Sequence, residues 1–259
     1  MISLKIDNYI MFVTFWICFS RWLAVIFQLP IFDGIPVPSV VKILTTLIIT
    51  YAFFPYTNQG IAGDLTSIGA QNAWIVLSFN VIVGLAIGFL VKSILLIFTA
   101  SGALITQQVG FSAVQYFDPM SSAQIGPFEK LIQWTVLVII ISTGALLPIF
   151  KGIFISFASI NLSNLGNFSN ITVFYLDMFK SIFLSATLLS SPIIFSNLLI
   201  MTVLGIIAKM VPQMNVLMVS FVVNIGMGLL IFYSILDEYF HVAVDMYIKK
   251  LSIWFQFVN

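Results

Sequence analysis

Long apolar stretches alternate with short polar connections along this chain, and most of the stretches are long enough to form membrane-spanning helices. A bilayer core about 30 Å thick is crossed by roughly 20 residues of α-helix. The pattern predicts six apolar helical segments, at residues 9–29, 40–54, 73–98, 131–150, 171–207 and 216–236. Clusters of Asn, Ser, Gly and Gln predict polar loops at residues 58–71, 107–127 and 161–170.

Prolines interrupt this pattern where the chain is expected to bend. Pro55 is predicted to end the second segment, because proline lacks the N–H that a helix interior uses. The fifth segment is too long for one crossing, and its Ser190-Ser191-Pro192 run predicts a hairpin or a strong kink. Broken backbone is stable at membrane depth only where protein or water satisfies the freed polar groups. The chain is therefore expected to be an all-α integral membrane protein with broken or kinked helices that pack against other protein.

Composition supports the membrane assignment. Of 259 residues, 61% are hydrophobic and 7% are charged, and the mean hydropathy is +1.13. A soluble domain carries about 25% charged residues, because its surface must be hydrated. The net charge is +1 and the sequence has no basic tract, so nucleic acid is not expected as a partner. The expected surroundings are membrane lipid and partner protein.

No combination of residues in the sequence is typical of an enzyme or a cofactor site. The motifs GxxxxGK[ST], HExxH and GxSxG are missing, so nucleotide hydrolysis and metalloprotease chemistry are not expected. The single Cys18 excludes an intramolecular disulfide and a cysteine-based zinc site. Glu238 and His241 have the spacing of half a di-metal bundle site, but a second Glu-x-x-His is lacking. Together with Asp237 and Asp245 they are interpreted as a solvated helix end, and no catalytic residue, cofactor or metal is predicted.

Two cations lie inside apolar segments, where a charged residue costs about 2.5–3.5 kcal/mol on insertion scales. The side chain of Lys92 can reach the lipid headgroups if its helix tilts, and burial against protein is the alternative. Arg21 is flanked by apolar residues on both sides, which favours burial in a protein interface or beside a watery conduit.

Gly84 and Gly88 form a GxxxG pattern, which places a smooth groove on one helix face and lets a second backbone approach closely. Asn80 lies one turn earlier on about the same face. The three residues together predict a helix-packing surface. A similar set occurs in the last segment: Asn224, Gly226 and Gly228.

The stretch at residues 107–122 is intermediate in character between a loop and a membrane helix. It mixes amides, small residues and aromatics, and Asp118-Pro119 predicts a turn. It is too apolar for an ordinary solvent-exposed loop and too polar for a transmembrane helix. A re-entrant or pore-covering segment fits this composition, and such a segment needs protein or water around it.

At this stretch, and at other points in order along nearly the whole chain, the sequence resembles the FliR family of flagellar biosynthetic proteins. The matching residues are Arg21-Trp22-Leu23-Ala24, Pro30-Ile31-Phe32, Ile35-Pro36, Val40-Val41-Lys42, Gly84-Leu85-Ala86-Ile87-Gly88-Phe89, Gly102, Gln108-Val109-Gly110-Phe111-Ser112-Ala113, Asp118-Pro119, Gly144, Leu204-Gly205 and Met210-Val211-Pro212-Gln213-Met214-Asn215-Val216. The departures are local: Thr106 where Gly is usual, Lys209 where Arg is common, and Ser220 and Val222 where Gly and Pro are usual.

The resemblance implies a fold and a role. It implies a FliP-like helical part at residues 1–165, which includes a plug loop at about 107–127, and a FliQ-like helical hairpin with a C-terminal tail at residues 166–259. The implied role is that of a subunit of the flagellar type III protein-export gate, in the bacterial inner membrane and within the flagellar basal body. The implied partners are FliP-like, FliQ-like and FlhB-like export-gate subunits, and the implied cargo is unfolded secreted flagellar proteins.

In this role the plug closes a pore, and its displacement opens the pore. The resemblance assigns the plug to Gln108, Gly110, Phe111, Ser112, Ala113 and Asp118. Apolar side chains are expected to complete the seal: Phe111, Phe117 and Met120. Subunit packing is expected of Arg21, Gly84, Gly88, Lys92, Pro212 and Gln213.

Two alternative functions stay open at the level of the sequence. The first is the homologous export-gate subunit of a virulence-type type III secretion system, which has the same implied fold and a different cargo. The second is a secondary transporter with broken helices around a midplane site. A transporter of that kind is expected to have inverted repeats and convergent polar groups, neither of which is visible in the sequence.

Overall fold

The computed structural model describes residues 9–29, 37–111, 126–162, 171–211, 213 and 215–258. Within these ranges the chain forms helices and no strands, which confirms the predicted all-α class. The α-helices are α1 (Tyr9–Ile26), α2 (Ser39–Ile68), α3 (Ala73–Val109), α4 (Pro127–Ser142), α5 (Leu147–Ser159), α6 (Ile171–Met210) and α7 (Val216–Val258). A short 3-10 turn, Ala70–Asn72, connects α2 to α3.

Five of these helices are long and apolar enough to cross a membrane: α1, α2, α3, α6 and α7. The helices α4 and α5 are bent by 72° at a short break and together form a sixth candidate span. Gly144 in this break has a φ of 69°, which glycine adopts without steric cost. The prediction of one uninterrupted segment at residues 131–150 is therefore wrong, whereas the prediction of broken helices is confirmed.

Helix α2 continues well past the predicted end of its segment. Pro55 lies inside the helix, and most of the predicted loop at residues 58–71 is helical, so both predictions are wrong. Side chains that recur at helical spacing are buried on one face of this part of the helix: Thr57, Ile61, Asp64 and Leu65. The packing of that face outweighs the local effects of the proline and of the polar residues.

Helix α6 is a single helix, so the hairpin predicted at residues 190–192 is wrong. Pro192 removes the N–H that would bond the Leu188 carbonyl in a regular helix. The Ser191 hydroxyl donates to that carbonyl at 2.7 Å instead. A serine side chain thus bonds the carbonyl that the proline leaves free and supports the helix through the interruption.

Helix α7 passes through the polar cluster at residues 237–245, so the predicted helix end is also wrong. His241 Nδ1 lies 3.8 Å from Asp245 Oδ2 one turn later, and both side chains are exposed. Among the residues that the structure describes, no group of three or more His, Cys, Asp or Glu side chains is placed to hold a metal ion. Buried residues continue the helical stripe through and beyond the cluster: Tyr239, Ala243, Tyr247 and Leu251.

The chain divides into two compact units, each made of separate chain segments. Unit one comprises Met1–Ser93, Ala145–Phe174 and Lys250–Asn259, and unit two comprises Ile94–Gly144 and Tyr175–Lys249. Helix α3 therefore contributes its first part to unit one and its last part to unit two. The division at residue 165 that the family resemblance implies stays a prediction.

Aromatic side chains form the centre of each unit. In unit one the buried Trp22 stacks on Phe53, with ring centroids 6.0 Å apart, and lies 6.1 Å from the Phe157 ring. In unit two Phe128 meets Phe232 edge to face at 4.9 Å. Such arrangements are favoured by the aromatic quadrupole, and they fix the helices that carry the polar side chains described next.

Candidate functional site

Arg21 lies in the middle of α1 and is 1% exposed. Its guanidinium donates from Nη1 to the Ser156 carbonyl at 2.7 Å and from Nη2 to the Ile160 carbonyl at 3.1 Å. It also lies 4.4 Å from the centre of the Phe157 ring. The Ser156 carbonyl also accepts the Ile160 N–H at 3.0 Å, and the Ile160 carbonyl follows the end of α5. A planar guanidinium bonds both carbonyls at once. The end of α5 therefore compensates for the burial of this charge.

Asp64 on α2 binds the same end of α5. Its Oδ2 accepts a hydrogen bond from the backbone N–H of Leu162 at 3.0 Å, and the residue is buried. The cation thus bonds carbonyls and the anion bonds an N–H, so that α1 and α2 are both tied to the chain that leaves α5. Asp64 was not predicted as a site residue, because the polar residues around it predicted a loop at 58–71. The helical spacing of Ile61 and Leu65 with Asp64 was the available signal.

Gly84 and Gly88 bring α3 against α1 in unit one. A Cβ on Gly84 would lie 2.6 Å from the Arg21 carbonyl oxygen, and one on Gly88 would lie 3.0 Å from the Gln28 side chain. The Gln28 amide also donates to the Leu85 carbonyl at 3.0 Å. The two glycines therefore form a close helix contact within the chain. Their expected role in packing against other subunits stays a prediction.

The other residues for which the sequence predicted helix or subunit packing lie on α3 and between α6 and α7. Asn80 is buried, and its Nδ2 donates to the Val76 carbonyl within α3 at 2.7 Å. Lys92 is half-buried within α3. Gln213 is exposed in the turn between α6 and α7, and Pro212 lies outside the described residues.

The last turn of α3 carries the described part of the plug sequence. Gly110 follows the helix with a φ of 94°. The Gly110 N–H donates to the Gln107 carbonyl, and the Phe111 N–H donates to the Thr106 carbonyl, each at 3.1 Å. This pair of bonds is a Schellman motif, in which glycine takes the left-handed position. Gly110 is thus required by the helix end itself.

The start of α4 packs tightly against the end of α3 in unit two. The Phe111 ring meets the Phe128 ring at 5.8 Å. A Cβ on Gly126 would lie 2.5 Å from the Thr106 side chain. The residues on either side of segment 112–125 therefore each lie against the opposite helix of the α3–α4 pair. The predicted plug residues inside that segment lie outside the described residues: Ser112, Ala113, Phe117, Asp118 and Met120.

Gln108 joins the end of α3 to α6. Its Oε1 accepts a hydrogen bond from Asn197 Nδ2 at 2.6 Å. Two turns earlier on α3, also in unit two, the Ser101 and Tyr239 hydroxyls lie 2.9 Å apart and link α3 to α7. Polar side chains on three helices are therefore paired with one another. Asn197 was not singled out from the sequence, because a lone Asn in an apolar segment has no distinctive pattern.

These features define an integral membrane protein whose buried polar groups hold helix ends and helix pairs together. The sequence matches the protein family described as Bacterial export proteins, family 1, over residues 12–249. It is 25% identical to the flagellar biosynthetic protein FliR of Bacillus subtilis over 242 residues, which cover 92% of this chain and 91% of that protein. It is 32% identical to FliR of Borreliella burgdorferi over 162 residues, 61% of this chain and 60% of that protein.

A relative whose name is not flagellar is also found. Surface presentation of antigens protein SpaR of Shigella flexneri is 26% identical over 197 residues, 67% of this chain and 75% of that protein. The chain belongs to the family of bacterial export proteins that includes FliR. It is an integral inner-membrane subunit of a type III protein-export gate, as the resemblance in the sequence implied, and it works in a complex with other export-gate proteins.

Proposed function

We propose that this subunit closes the flagellar export gate with the segment that connects α3 to α4, and that unfolded flagellar proteins displace this segment as they pass. The observation that supports the proposal is the packing of the helix end before this segment against the helix start after it. Phe111 contacts Phe128, and Thr106 contacts Gly126, so the segment begins and ends beside one packed helix pair. The two helix ends that this segment joins are therefore packed against each other.

The seal would be made by exclusion of water and ions, with no chemical step. Apolar side chains at Phe111, Phe117 and Met120 would fill the pore, and Gly110 would allow the backbone to turn as the segment moves. The sequence has no nucleotide-binding motif, so the energy for transport would come from other components. We assign no catalytic residue to this chain.

The specific partners that we propose are FliP-like, FliQ-like and FlhB-like subunits. The helices α6 and α7 support this assignment, because large apolar side chains on several sides of each helix are exposed within the chain. A helix that is apolar all round is covered by lipid or by other helices. The proposal is that export-gate subunits cover a part of these faces.

The proposal is tested by replacing residues 112–120 with a Gly-Ser linker of equal length, which leaves Phe111 and Gly126 in place. The altered chain would be co-expressed with the other gate subunits. We expect the complex to co-purify as before and to conduct ions in a planar bilayer, while the unaltered complex stays closed. A linker of equal length in residues 163–170 is the control. A closed channel after replacement of residues 112–120 would contradict the plug.

The virulence-type function is a second candidate, because SpaR is among the relatives. Complementation distinguishes the two. We expect the chain, together with its own gate partners, to restore motility in a bacterium that lacks the corresponding flagellar subunits. Restored secretion of virulence proteins without restored motility would favour the second candidate.

A further inference from the structure

An open groove lies between α2 and α5 in unit one. The two helices approach closely where a Cβ on Gly60 would lie 2.6 Å from the Phe157 carbonyl oxygen. Earlier along both helices the side chains leave a cavity of about 810 Å³, a volume in the range of sites that enclose small-molecule ligands. Seven of the eight described residues that line this cavity are apolar or aromatic, and the eighth is Lys151. The groove is therefore an apolar site with one cation.

Aromatic rings from both helices line the groove. The Phe53 and Phe154 rings have centroids 6.0 Å apart. Trp22 stacks on Phe53 at 6.0 Å and on Phe150 at 6.3 Å. Because Trp22 is buried at the centre of unit one, the packing of that centre holds these rings in place. The groove is thus a preformed apolar surface.

Lys151 has no counter-ion within the part of the chain that the structure describes. It is the only charged residue of α5, it is exposed, and no described carboxylate pairs with its ammonium group. Arg21, by contrast, bonds two backbone carbonyls. A cation in an apolar membrane helix is costly unless it reaches an anionic group or water. An anionic group at the groove would remove that cost.

The lining of the groove fits a flexible lipid chain better than a further helix. Where helices of this chain contact one another, a glycine lies at the contact: Gly60 faces α5, Gly84 faces α1 and Gly102 faces α4. Small residues of this kind let two helix backbones approach closely. None of the described residues that line the groove is Gly, Ala, Ser or Thr. Large exposed side chains such as Tyr56 and Leu147 would hold a helix backbone away, whereas an acyl chain can bend around them.

We propose that the groove between α2 and α5 binds one anionic phospholipid, whose phosphate pairs with Lys151 and whose acyl chain lies along the aromatic rings. Basic pockets between membrane helices bind anionic headgroups in this way. The lipid would cover the exposed rings of Phe53 and Tyr56. The site is formed by unit one alone, so it does not depend on the proposed plug.

Photoreactive lipids test the proposal on the assembled gate. The complex would be reconstituted in phosphatidylcholine vesicles that contain a small fraction of a lipid with a diazirine on its acyl chain. The headgroup of this probe would be either phosphatidylglycerol or phosphatidylcholine, with identical acyl chains, and mass spectrometry would identify the labelled residues. We expect the phosphatidylglycerol probe to label the groove about fivefold more than the phosphatidylcholine probe, which is the effect of one basic residue on binding to anionic lipid.

Substitutions at Lys151 connect this preference to the cation. Lys151→Gln should reduce groove labelling by the phosphatidylglycerol probe to the phosphatidylcholine level, and Lys151→Arg should retain it. Lys180→Gln is the matched control, because Lys180 is an exposed cation on α6, and it should leave groove labelling unchanged. Equal labelling by the two probes on the unaltered complex would overturn the proposal, even if Lys151→Gln fails to assemble. A preference that survives in Lys151→Gln would also overturn it.

A photo-crosslinking amino acid in place of Leu147 tests for a protein occupant. Leu147 lines the groove and is exposed within the chain. We expect no adduct to another gate subunit from this position in cells that express the whole gate. A protein adduct would overturn the lipid site and assign the groove to that subunit.

Discussion

Individual buried polar side chains in this protein bond backbone groups at the ends of helices. Arg21 bonds backbone carbonyls and Asp64 bonds a backbone N–H, all of them at or just after the last turn of α5. The sequence indicated that Arg21 needed shelter, because a cation in an apolar segment is costly. It could not indicate which residues shelter it, because backbone carbonyls have no sequence signature and Ser156 is far along the chain.

Substitution of Arg21 should lower stability even when the charge is kept. Arg21→Lys retains a cation but cannot bond the Ser156 and Ile160 carbonyls together, so we expect a loss of about 1–3 kcal/mol. Arg21→Met should lose at least as much, since it leaves both carbonyls without this donor. The thermal unfolding midpoint of the purified complex measures both effects. Lys180→Met is the control, because Lys180 is exposed and its ion pair with Asp177 contributes little. An Arg21→Lys variant as stable as the wild type would show that the two-carbonyl contact is unimportant.

At the level of helices, packed faces override local signals in the sequence. Pro55 and Pro192 both lie inside long helices, although each was predicted to interrupt its segment. For Pro192 the Ser191 hydroxyl explains the continuity. For the residues after Pro55 the explanation is the buried stripe that includes Thr57 and Asp64. The GxxxG pattern, by contrast, correctly predicted a close helix contact, because it depends on backbone shape and not on a local ending signal.

The two glycines of the GxxxG pattern should differ in their tolerance of alanine. A Cβ at Gly84 would meet the backbone oxygen of Arg21 at 2.6 Å, which cannot move away without shifting α1. We expect Gly84→Ala to destabilise the chain by about 1–3 kcal/mol. Gly88→Ala meets only the flexible Gln28 side chain at 3.0 Å and should have a smaller effect.

Gly63→Ala provides the matched control for both substitutions. A Cβ at Gly63 has nothing within 4 Å, and the residue is helical, so alanine should be neutral or stabilising by up to about 1 kcal/mol. The thermal unfolding midpoints of the three variants, measured side by side, give their order of stability. If Gly84→Ala is as stable as Gly88→Ala, then α1 and α3 are not in the close contact described.

The contact between α3 and α4 predicts a compensating pair of substitutions. Gly126→Ala would place a Cβ 2.5 Å from the Thr106 side chain, and we expect overpacking to cost about 1–3 kcal/mol. Thr106→Gly removes the side-chain atoms with which the new Cβ at position 126 would clash. The double variant should therefore be more stable than Gly126→Ala alone, although glycine in a helix costs about 1 kcal/mol. A double-mutant cycle of unfolding free energies measures the coupling between positions 106 and 126. Strictly additive effects of the two substitutions would contradict the contact.

At the level of the whole molecule, the sequence predicted the protein family better than it predicted the surroundings of the helices. Ordered motifs along its length were sufficient for the family, which the match over residues 12–249 confirms. The apolar segments were placed correctly, apart from their ends and from the break within residues 131–150. The surroundings of α6 and α7 could not be predicted, because lipid and a partner helix select the same apolar side chains.

Exposed residues on α6 provide a direct test of whether lipid or another gate subunit covers this helix. Leu184 and Phe195 lie on about one face of the helix and Phe183 on another, and all three are exposed within the chain. A photo-crosslinking amino acid at each position, in cells that express the whole gate, should give adducts to another gate subunit from at least one face. Lipid leaves no such adduct, and the same variants without the other subunits are the control. Lack of a protein adduct at all three positions would mean that this part of α6 faces lipid, and the proposed coverage by export-gate subunits would then have to be placed on α7 or abandoned.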